Sequence, residues 1–371
     1  MKIPLFLVLL LAVGVAIAEP EFDWNRAKEI YSRNQRGEAL SDADRQILDE
    51  AIRRHKAGEP IGGASAKPNG ATPAPISPWT THLTPLTELK TPYHGEDGGL
   101  YGGGQNEAPP AQAALAKDAI SQIKPLDAEG HPAANGRIAL LSIGMSNTTM
   151  EFSAFVPLVN ADPRKAANVV VVDGAQGGKD ATAWARADAP VWQVAEHRLA
   201  DARITTQQVE AVWIKQALIR PQAGFPAEAE HLRDRLRDIV TIAKQKYPNL
   251  RIAYLSSRIF AGNAKTPLNP EPYAYESAFG VRWLIQDQMK GAASLNPSAA
   301  KGEVKAPVLL WGPYLWADGQ TPRQSDHLVY NPDEFENDGT HPGPAARQKV
   351  AKLLQEFFAT DPLAKPWYAK K

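Results

Sequence analysis

Hydrophobic residues in the second part of the chain fall into five short runs, separated by longer segments with helical periodicity. Several runs are near-continuous stretches of Val, Ile and Leu, which are typical of parallel strands covered on both faces. The segments 228–246 and 346–358 repeat apolar residues every three to four positions, which predicts helices. We predict five strands: Ile138–Ile143, Val169–Asp173, Val209–Ile214, Ile252–Leu255 and Val308–Trp311.

This alternation of strands and helices predicts the fold class. It favours an α/β fold with a doubly wound, mostly parallel five-stranded sheet and helices on both faces. Ligands of such sheets bind beyond the carboxyl ends of the strands. The residues that directly follow each strand are therefore the candidates for chemistry.

The first eighteen residues have the pattern of a secretory signal peptide. Lys2 precedes the apolar run 3–15, and Ala16-Ile17-Ala18 matches the small-residue cleavage pattern. An uncleaved membrane anchor is the alternative, but the run is at the short end for a helix that needs about 20 residues to span a bilayer. We expect a secreted or periplasmic protein with no stable membrane insertion after cleavage.

The next part of the chain predicts a small helical element and a linker. Trp24, Ala27 and Ile30 recur at helical spacing, and Ser41 is placed to cap a second helix. The following stretch is rich in Pro and Gly, which is typical of a linker. The predicted organisation is a signal peptide (1–18), a helical hairpin (19–57), a linker (58–78), a loop-rich lead-in (79–136) and the α/β domain (137–371).

Composition excludes several classes of protein and site. The 41 Lys and Arg residues balance 41 Asp and Glu residues, so the chain lacks the excess of positive charge expected of a nucleic-acid-binding protein. The chain has no cysteine, which excludes disulfides, thiolate nucleophiles and Cys-ligated metals. We therefore expect no nucleic-acid partner. The sequence leaves the oligomeric state open.

A serine follows the first predicted strand, in the segment Gly144–Asn147. A serine at a sharp strand-to-helix turn is exposed, and its oxygen lies near the positive end of the following helix. Ser146 is therefore a candidate nucleophile. The alternative is that Ser146 only caps that helix, since serine is a preferred N-cap residue.

Candidate donors for a developing negative charge follow the second and third strands. Gly177 and Gly178 allow backbone N–H groups to point at a ligand, although an ordinary glycine-rich turn explains them equally well. Gln216 follows the third strand, and its side-chain amide can donate a hydrogen bond to an oxyanion. The alternative for Gln216 is a plain polar residue in a loop.

An Asp-x-x-His motif precedes the last predicted helix, as Asp338 and His341. One turn of chain can bring this carboxylate back to an imidazole nitrogen. A histidine that accepts a serine proton needs such a partner to fix its tautomer and stabilise the imidazolium. A solvated histidine in a Gly/Pro loop is the alternative.

Taken together and in this order, these motifs resemble the SGNH (GDSL-type) hydrolase superfamily over residues 137–358. The segment Gly144–Asn147 is similar to the family's nucleophile block, although Met145 stands where Asp or Gln is usual. The segment Trp213–Gln216 is nearest to the Trp-x-Gln-Gly-Glu form of the sialate-O-acetylesterase-like and acetylxylan-esterase-like branch, with one extra residue.

The resemblance implies a flavodoxin-like SGNH fold and a secreted serine hydrolase that cleaves carboxylic esters, including O-acetyl groups on carbohydrate. The substrate would be a small-molecule or glycan ester, and no cofactor or metal is implied. Ser146 matches the nucleophile, His341 the general base and Asp338 the residue that orients it. The implied oxyanion hole consists of Ser146, Gly177 or Gly178, and Gln216.

Four further residues are candidates for substrate binding. Trp311, Tyr314 and Trp316 continue from the last strand toward the same edge of the sheet, where aromatic faces would suit sugar rings. Packing at the rim explains them equally well. Asn147, beside the candidate nucleophile, is the fourth.

Two other functions remain open at this stage. One is a catalytically inactive, exported carbohydrate-binding module on the same fold, because a fold does not determine a function. The other is a metal-dependent phosphoesterase that would use Asp173, Asp180, Asp338 and His341. It lacks a motif with metal-ligand spacing.

Overall fold

The computed structural model describes residues 22–35, 40–56 and 80–370. The chain divides into two compact units, residues 1–75 and 76–371. The predicted signal peptide (1–18) and the predicted linker (58–78) lie outside the described residues. None of the helices in the described ranges combines the length and the apolar character that crossing a bilayer requires.

The first unit contains the two predicted helices, α1 (Trp24–Gln35) and α2 (Asp42–Lys56). Trp24, Ala27 and Ala51 are buried between them, so each helix covers the apolar stripe of the other. Ser41 accepts a hydrogen bond from the backbone amide of Asp44, as expected for an N-terminal cap.

The second unit is built on a five-stranded sheet in which every pairing is parallel, with the order β2-β1-β3-β4-β5. All five predicted strands are confirmed, and no end differs by more than one residue. The sheet is wholly rather than mostly parallel. The strands are β1 (Ile138–Gly144), β2 (Val169–Asp173), β3 (Val209–Lys215), β4 (Ile252–Ser256) and β5 (Val308–Trp311).

Helices cover both faces of this sheet, which explains why every residue of β1, β3, β4 and β5 is buried. Helix α4 packs against α9, and α7 packs against α8. The helices are α3 (Pro110–Ser121), α4 (Ser146–Asn160), α5 (Ala181–Trp184), α6 (Pro190–Asp201), α7 (Ala227–Lys246), α8 (Tyr273–Met289), α9 (Pro344–Thr360) and α10 (Lys365–Tyr368).

The strand order creates a switch point between β1 and β3. The chain leaves β1 toward β2 on one side of the sheet and later returns to β3 on the other side. The loops that follow β1 and β3 therefore diverge and leave a crevice, which is where ligands bind in open α/β sheets. Gly144 pairs with Lys215 across this point, so the residues after both strands begin at the same level.

The lead-in segment before β1 is fixed against the β5 side of the sheet. The buried carboxylate of Asp318, downstream of β5, accepts hydrogen bonds from the backbone amides of Thr81 at 2.6 Å and His82 at 2.9 Å. Further along, the Gln112 side chain in α3 donates to the carbonyl of Leu309 at 2.8 Å. The lead-in therefore packs as part of the α/β unit.

Candidate active site

Three side chains from distant parts of the chain meet at the carboxyl end of β1. Ser146 is the first residue of α4, and its Oγ lies 2.9 Å from Nε2 of His341. Nδ1 of the same imidazole lies 2.5 Å from Oδ2 of Asp338. The three side chains form one continuous hydrogen-bonded chain, although Ser146 and His341 are 195 residues apart.

The electrostatics of Asp338 keep it ionised. Oδ1 accepts hydrogen bonds from the backbone amides of Thr340 and His341, both at 3.0 Å. Burial opposes the charge, but these amides and the imidazole outweigh it and hold the pKa of Asp338 below its usual value. An ionised Asp338 binds the Nδ1–H tautomer of His341, which leaves Nε2 free to accept the serine proton.

Glycine is required in the turn that carries Asp338 and His341. Gly339 has a φ of +65°, and a Cβ at this position would lie 1.9 Å from the carbonyl oxygen of Asn263. No L-residue fits so close to a backbone oxygen. The turn can therefore pack directly on the loop after β4 and present the imidazole toward Ser146.

Asn147 fixes this turn rather than facing a substrate. Its side chain is only 2% exposed, and Nδ2 donates to the carbonyl of Thr340 at 3.1 Å. Contact between Asn147 and the substrate stays a prediction, and it is not favoured because the amide is engaged and buried. The same bond holds the start of α4, and hence Ser146, at a set distance from the turn of His341.

A threonine that the sequence analysis did not single out connects the nucleophile turn to the neighbouring strand. Thr148 donates its hydroxyl proton to the carbonyl of Lys215 at 2.7 Å, and its oxygen accepts from the Met145 amide. A Cβ at Gly144 would lie 2.3–2.4 Å from the Thr148 side chain, so the close approach needs glycine. Met145, not Ser146, occupies the N-cap position, which leaves the Ser146 hydroxyl available to His341.

Gly177 and Gly178 form an exposed turn after β2. Lys179 donates to the carbonyl of Gln176 across this turn at 3.3 Å, and the amide of Gln176 donates to the carbonyl of Gly144 at 3.0 Å. The turn is therefore attached to the end of β1. Within the described part of the chain, the two glycine amides have no hydrogen-bond acceptor, so they are available to a ligand.

Gln216 lies immediately after β3, on the other side of the switch point. It is 1% exposed, and neither Oε1 nor Nε2 has a hydrogen-bond partner among the described residues. A buried amide without partners is costly, and native proteins rarely contain one unless water or a ligand completes it. The role of Gln216 as an oxyanion donor stays a prediction, and its free amide is compatible with that role.

A buried ion pair lies behind the nucleophile turn. Lys215 and Glu151 are both fully buried, and Nζ lies 2.5 Å from each carboxylate oxygen. Burial disfavours both charges, so it raises the pKa of Glu151 and lowers the pKa of Lys215 to about 8. The pair joins α4 to the end of β3, and no pattern in the sequence indicates it.

The three aromatic residues predicted to bind substrate are part of the core. Trp311 donates its indole N–H to the carbonyl of Leu100 at 2.6 Å, and the Tyr314 hydroxyl accepts from the Leu86 amide at 3.0 Å. Trp316 is fully buried. The lead-in segment contacts Trp311 and Tyr314, and Trp316 donates its indole N–H to Glu271 at 2.8 Å. Substrate binding by Trp311, Tyr314 and Trp316 stays a prediction that the burial of all three side chains does not favour.

The carboxylates of the phosphoesterase hypothesis have other partners. Asp173 accepts hydrogen bonds from three hydroxyl groups, and Asp180 caps α5 by accepting from the Ala183 amide. In the described ranges, no group of three or more His, Cys, Asp or Glu side chains is arranged to hold a metal ion. The proposed donor set is therefore not assembled around His341.

Comparisons with known proteins found only distant similarity. A scan against protein-family models and a search of curated proteins both returned no match. A GDSL-like lipase from Bacteroides thetaiotaomicron is 9% identical, with a TM-score of 0.35 over 66% of this chain and 95% of that one.

Two acetyltransferase domains are similarly distant. The periplasmic domain of a lipopolysaccharide acetyltransferase from Salmonella ser. Paratyphi A is 12% identical (TM-score 0.34, 67% of this chain and 97% of that one). The C-terminal catalytic domain of peptidoglycan O-acetyltransferase A from Streptococcus pneumoniae is 14% identical (TM-score 0.33, 63% and 98%). Similarity at this level supports no inference about the activity of this chain.

Proposed function

We propose that this protein is a serine hydrolase of the SGNH type that cleaves carboxylic esters. The observation that carries the proposal is the hydrogen-bonded chain from Ser146 through His341 to Asp338. A hydroxyl, an imidazole and a carboxylate in this order are the parts that acyl transfer needs.

In the first half of the reaction, Ser146 Oγ attacks the ester carbonyl carbon while its proton moves to Nε2 of His341. The new C–O bond converts the carbonyl into a tetrahedral oxyanion, and the charge of Asp338 stabilises the imidazolium. The intermediate then collapses, the bond to the alcohol breaks, and the alcohol leaves with the proton from Nε2. The product of this half is an acyl-enzyme.

In the second half, water replaces the alcohol. His341 removes a proton from the water as its oxygen attacks the acyl carbon, and the second tetrahedral intermediate breaks the bond to Ser146 Oγ. The proton on Nε2 returns to the serine oxygen. The carboxylic acid is released and the enzyme regains its starting state.

The oxyanion is held by N–H donors from three loops. The amide of Ser146 lies in the first turn of α4, where it has no intrahelical acceptor. Gly177 or Gly178 supplies a second backbone amide, and the side chain of Gln216 supplies the third donor. All of these donors lack acceptors among the described residues, as preorganised donors for a transient charge must.

For the substrate and its location, we propose O-acetyl groups on carbohydrate outside the cytoplasm. The support is the resemblance of the segment around Gln216 to carbohydrate esterases and the signal-like pattern of residues 1–18. No observation favours the inactive carbohydrate-binding module, since the serine, imidazole and carboxylate are joined by hydrogen bonds.

The proposal is tested with purified protein on 4-nitrophenyl acetate, followed by acetylated xylan and acetylated sialic acid. Ser146→Ala lowers turnover more than about 1000-fold, as for other catalytic serines, and leaves the thermal unfolding transition in place. Ser121→Ala, at the end of α3, serves as the matched control and keeps full activity. Unchanged turnover in Ser146→Ala would refute the mechanism.

A further inference from the structure

A buried cation without a partner lies at the carboxyl edge of the sheet. Arg258 follows β4 by two residues and is 1% exposed. Its Nε and Nη2 have no hydrogen-bond acceptor among the described residues. In the same part of the chain, no carboxylate oxygen lies within 4.0 Å of its guanidinium nitrogens.

The carboxylates whose charges act on Arg258 from farther away are already bound to other groups. These are Glu151, Glu271 and Asp338. Glu151 gives both oxygens to a lysine, and Asp338 binds an imidazole and two backbone amides. Glu271 accepts from two backbone amides and one indole. None of them lies within hydrogen-bond distance of the guanidinium.

This arrangement demands an acceptor that the described residues do not supply. A guanidinium stays charged at any physiological pH, so it cannot escape burial by losing its proton. An unpaired buried charge is strongly destabilising unless a partner completes it. Buried donors that lack protein acceptors are normally completed by water or by a ligand.

Arg258 is accompanied by other free polar groups. The hydroxyl of Ser257 and the side-chain amide of Asn263 are also buried without a partner among the described residues. Gln216, at the end of the adjacent strand, has the same property. Four side chains with free donors therefore lie after β3 and β4, on the edge of the sheet that carries the candidate active site.

The segment 257–272 connects this group of donors to the candidate active site. The backbone amide of Lys265 donates to the carbonyl of Asp338 at 2.9 Å. On the other side, Asn269 donates its side-chain amide to the carbonyl of Leu218, just beyond Gln216, at 3.2 Å. Arg258 therefore belongs to a segment fixed between the turn of His341 and the loop of Gln216.

We propose that Arg258, with Ser257, binds a carboxylate carried by the ester substrate beside the point of attack by Ser146. The inference rests on the proposed esterase function and deepens it: the preferred substrates are esters with an acidic group. A carboxylate matches the fork of N–H donors on a guanidinium.

The test compares matched esters that differ by one carboxylate. In the first pair, mono-4-nitrophenyl succinate carries a carboxylate on the acyl side and 4-nitrophenyl butyrate does not. In the second pair, 3-acetoxybenzoate carries a carboxylate on the alcohol side and phenyl acetate does not. Each kcat/KM is divided by the rate of hydroxide-catalysed hydrolysis to remove intrinsic reactivity. The wild-type protein prefers the charged member of one pair by about 10- to 100-fold, as expected for a hydrogen bond between charged groups.

Variants assign that preference to one side chain. Arg258→Met brings the normalised ratio to about one, and Arg258→Lys retains part of it because the charge remains without the planar fork. Arg137→Met removes an exposed arginine at the opposite, amino end of β1 and leaves the ratio unchanged.

Several results would overturn the inference. A wild-type ratio near one in both pairs contradicts it, and so does a preference that survives in Arg258→Met. If Arg258→Met fails to fold, the ratio of kcat/KM in wild type and its decrease in Arg258→Lys still test the inference. If the neutral esters are turned over in a reaction that needs Ser146, but charged esters are not preferred, the carboxylate site is refuted and the esterase function is not. Absence of turnover with all four esters refutes the proposed function as well.

Discussion

The buried pair of Lys215 and Glu151 allows a quantitative test of how the nucleophile turn is held. Glu151 lies on α4, which begins at Ser146, and Lys215 is the last residue of β3 before Gln216. Lys215→Met leaves Glu151 buried and unpaired, and Glu151→Gln leaves Lys215 in the same position. Breaking one side of a buried pair typically costs about 3–5 kcal/mol.

The loss of free energy of unfolding has an upper limit in each variant, because a buried group without its partner can lose its charge. At pH 7, protonating Glu151 from its ordinary value of 4.5 costs about 3 kcal/mol at about 1.4 kcal/mol per pH unit. Deprotonating Lys215 from 10.5 costs about 5 kcal/mol on the same basis. The positive charge of Arg258 widens this difference. It stabilises the Glu151 carboxylate that remains in Lys215→Met, and it repels the Lys215 ammonium that remains in Glu151→Gln. Glu151→Gln is therefore the more destabilising change.

Urea unfolding at pH 6, 7 and 8 measures both the size and the sign of these effects relative to wild type. In Lys215→Met, the folded protein holds a proton on Glu151 that the unfolded chain releases, so stability falls as pH rises. In Glu151→Gln, the folded protein holds a neutral Lys215 that is protonated on unfolding, so stability increases with pH. The double variant, which contains neither charge, loses both slopes and recovers most of the free energy of unfolding.

Two results would refute this reasoning. Losses below about 1 kcal/mol in both single variants would mean that the pair is solvated, as exposed pairs are. Slopes of the same sign in the two single variants would mean that the stranded groups do not neutralise.

Three further predictions address single side chains. Gln216→Ala lowers kcat by about 100- to 1000-fold with little change in KM, the usual effect of losing an oxyanion donor; unchanged kinetics would remove Gln216 from the site. Gly339→Ala, which places a Cβ against the Asn263 carbonyl at a positive φ, lowers the free energy of unfolding by about 1–3 kcal/mol or more in urea titrations. Burial raises the pKa of Glu210 to about 8, so the folded protein keeps a proton that the unfolded chain releases near pH 4.5. Wild type therefore loses stability relative to Glu210→Gln between pH 5 and pH 8, by roughly 3 kcal/mol in paired thermal melts.

The sheet could be predicted from sequence because its signals are local. Runs such as Val169–Asp173 are nearly all aliphatic, and α7 repeats Leu and Ile along one face. Ser146 could be predicted from the rule that chemistry lies after the strands, and His341 from the Asp-x-x-His motif before the last helix. Their separation of 2.9 Å depends on the packing of α4 against α9 and on the bond from Asn147 to the histidine turn, which no local pattern encodes.

Other features of the site could not be predicted, because they depend on contacts between distant parts of the chain. Trp311 ends β5, and Tyr314 and Trp316 come shortly after it, as site residues do. A segment more than 200 residues earlier bonds to Trp311 and Tyr314, and Glu271 accepts from the Trp316 indole. The partner of Lys215 lies 64 residues away, and no periodicity links the two. Arg258 lies two residues after β4, and only the packed structure shows that its guanidinium has no acceptor among the described residues.

Covalent labelling tests the central claim, that Ser146 is the nucleophile activated by His341. The intact protein is treated with a fluorophosphonate, digested and sequenced by mass spectrometry, in parallel with His341→Ala and the Ser121→Ala control. We expect one phosphonylated residue, Ser146, in wild type and in the control, with labelling strongly slowed in His341→Ala. An active esterase labelled at another residue, or labelled at Ser146 equally fast without the imidazole, would contradict it.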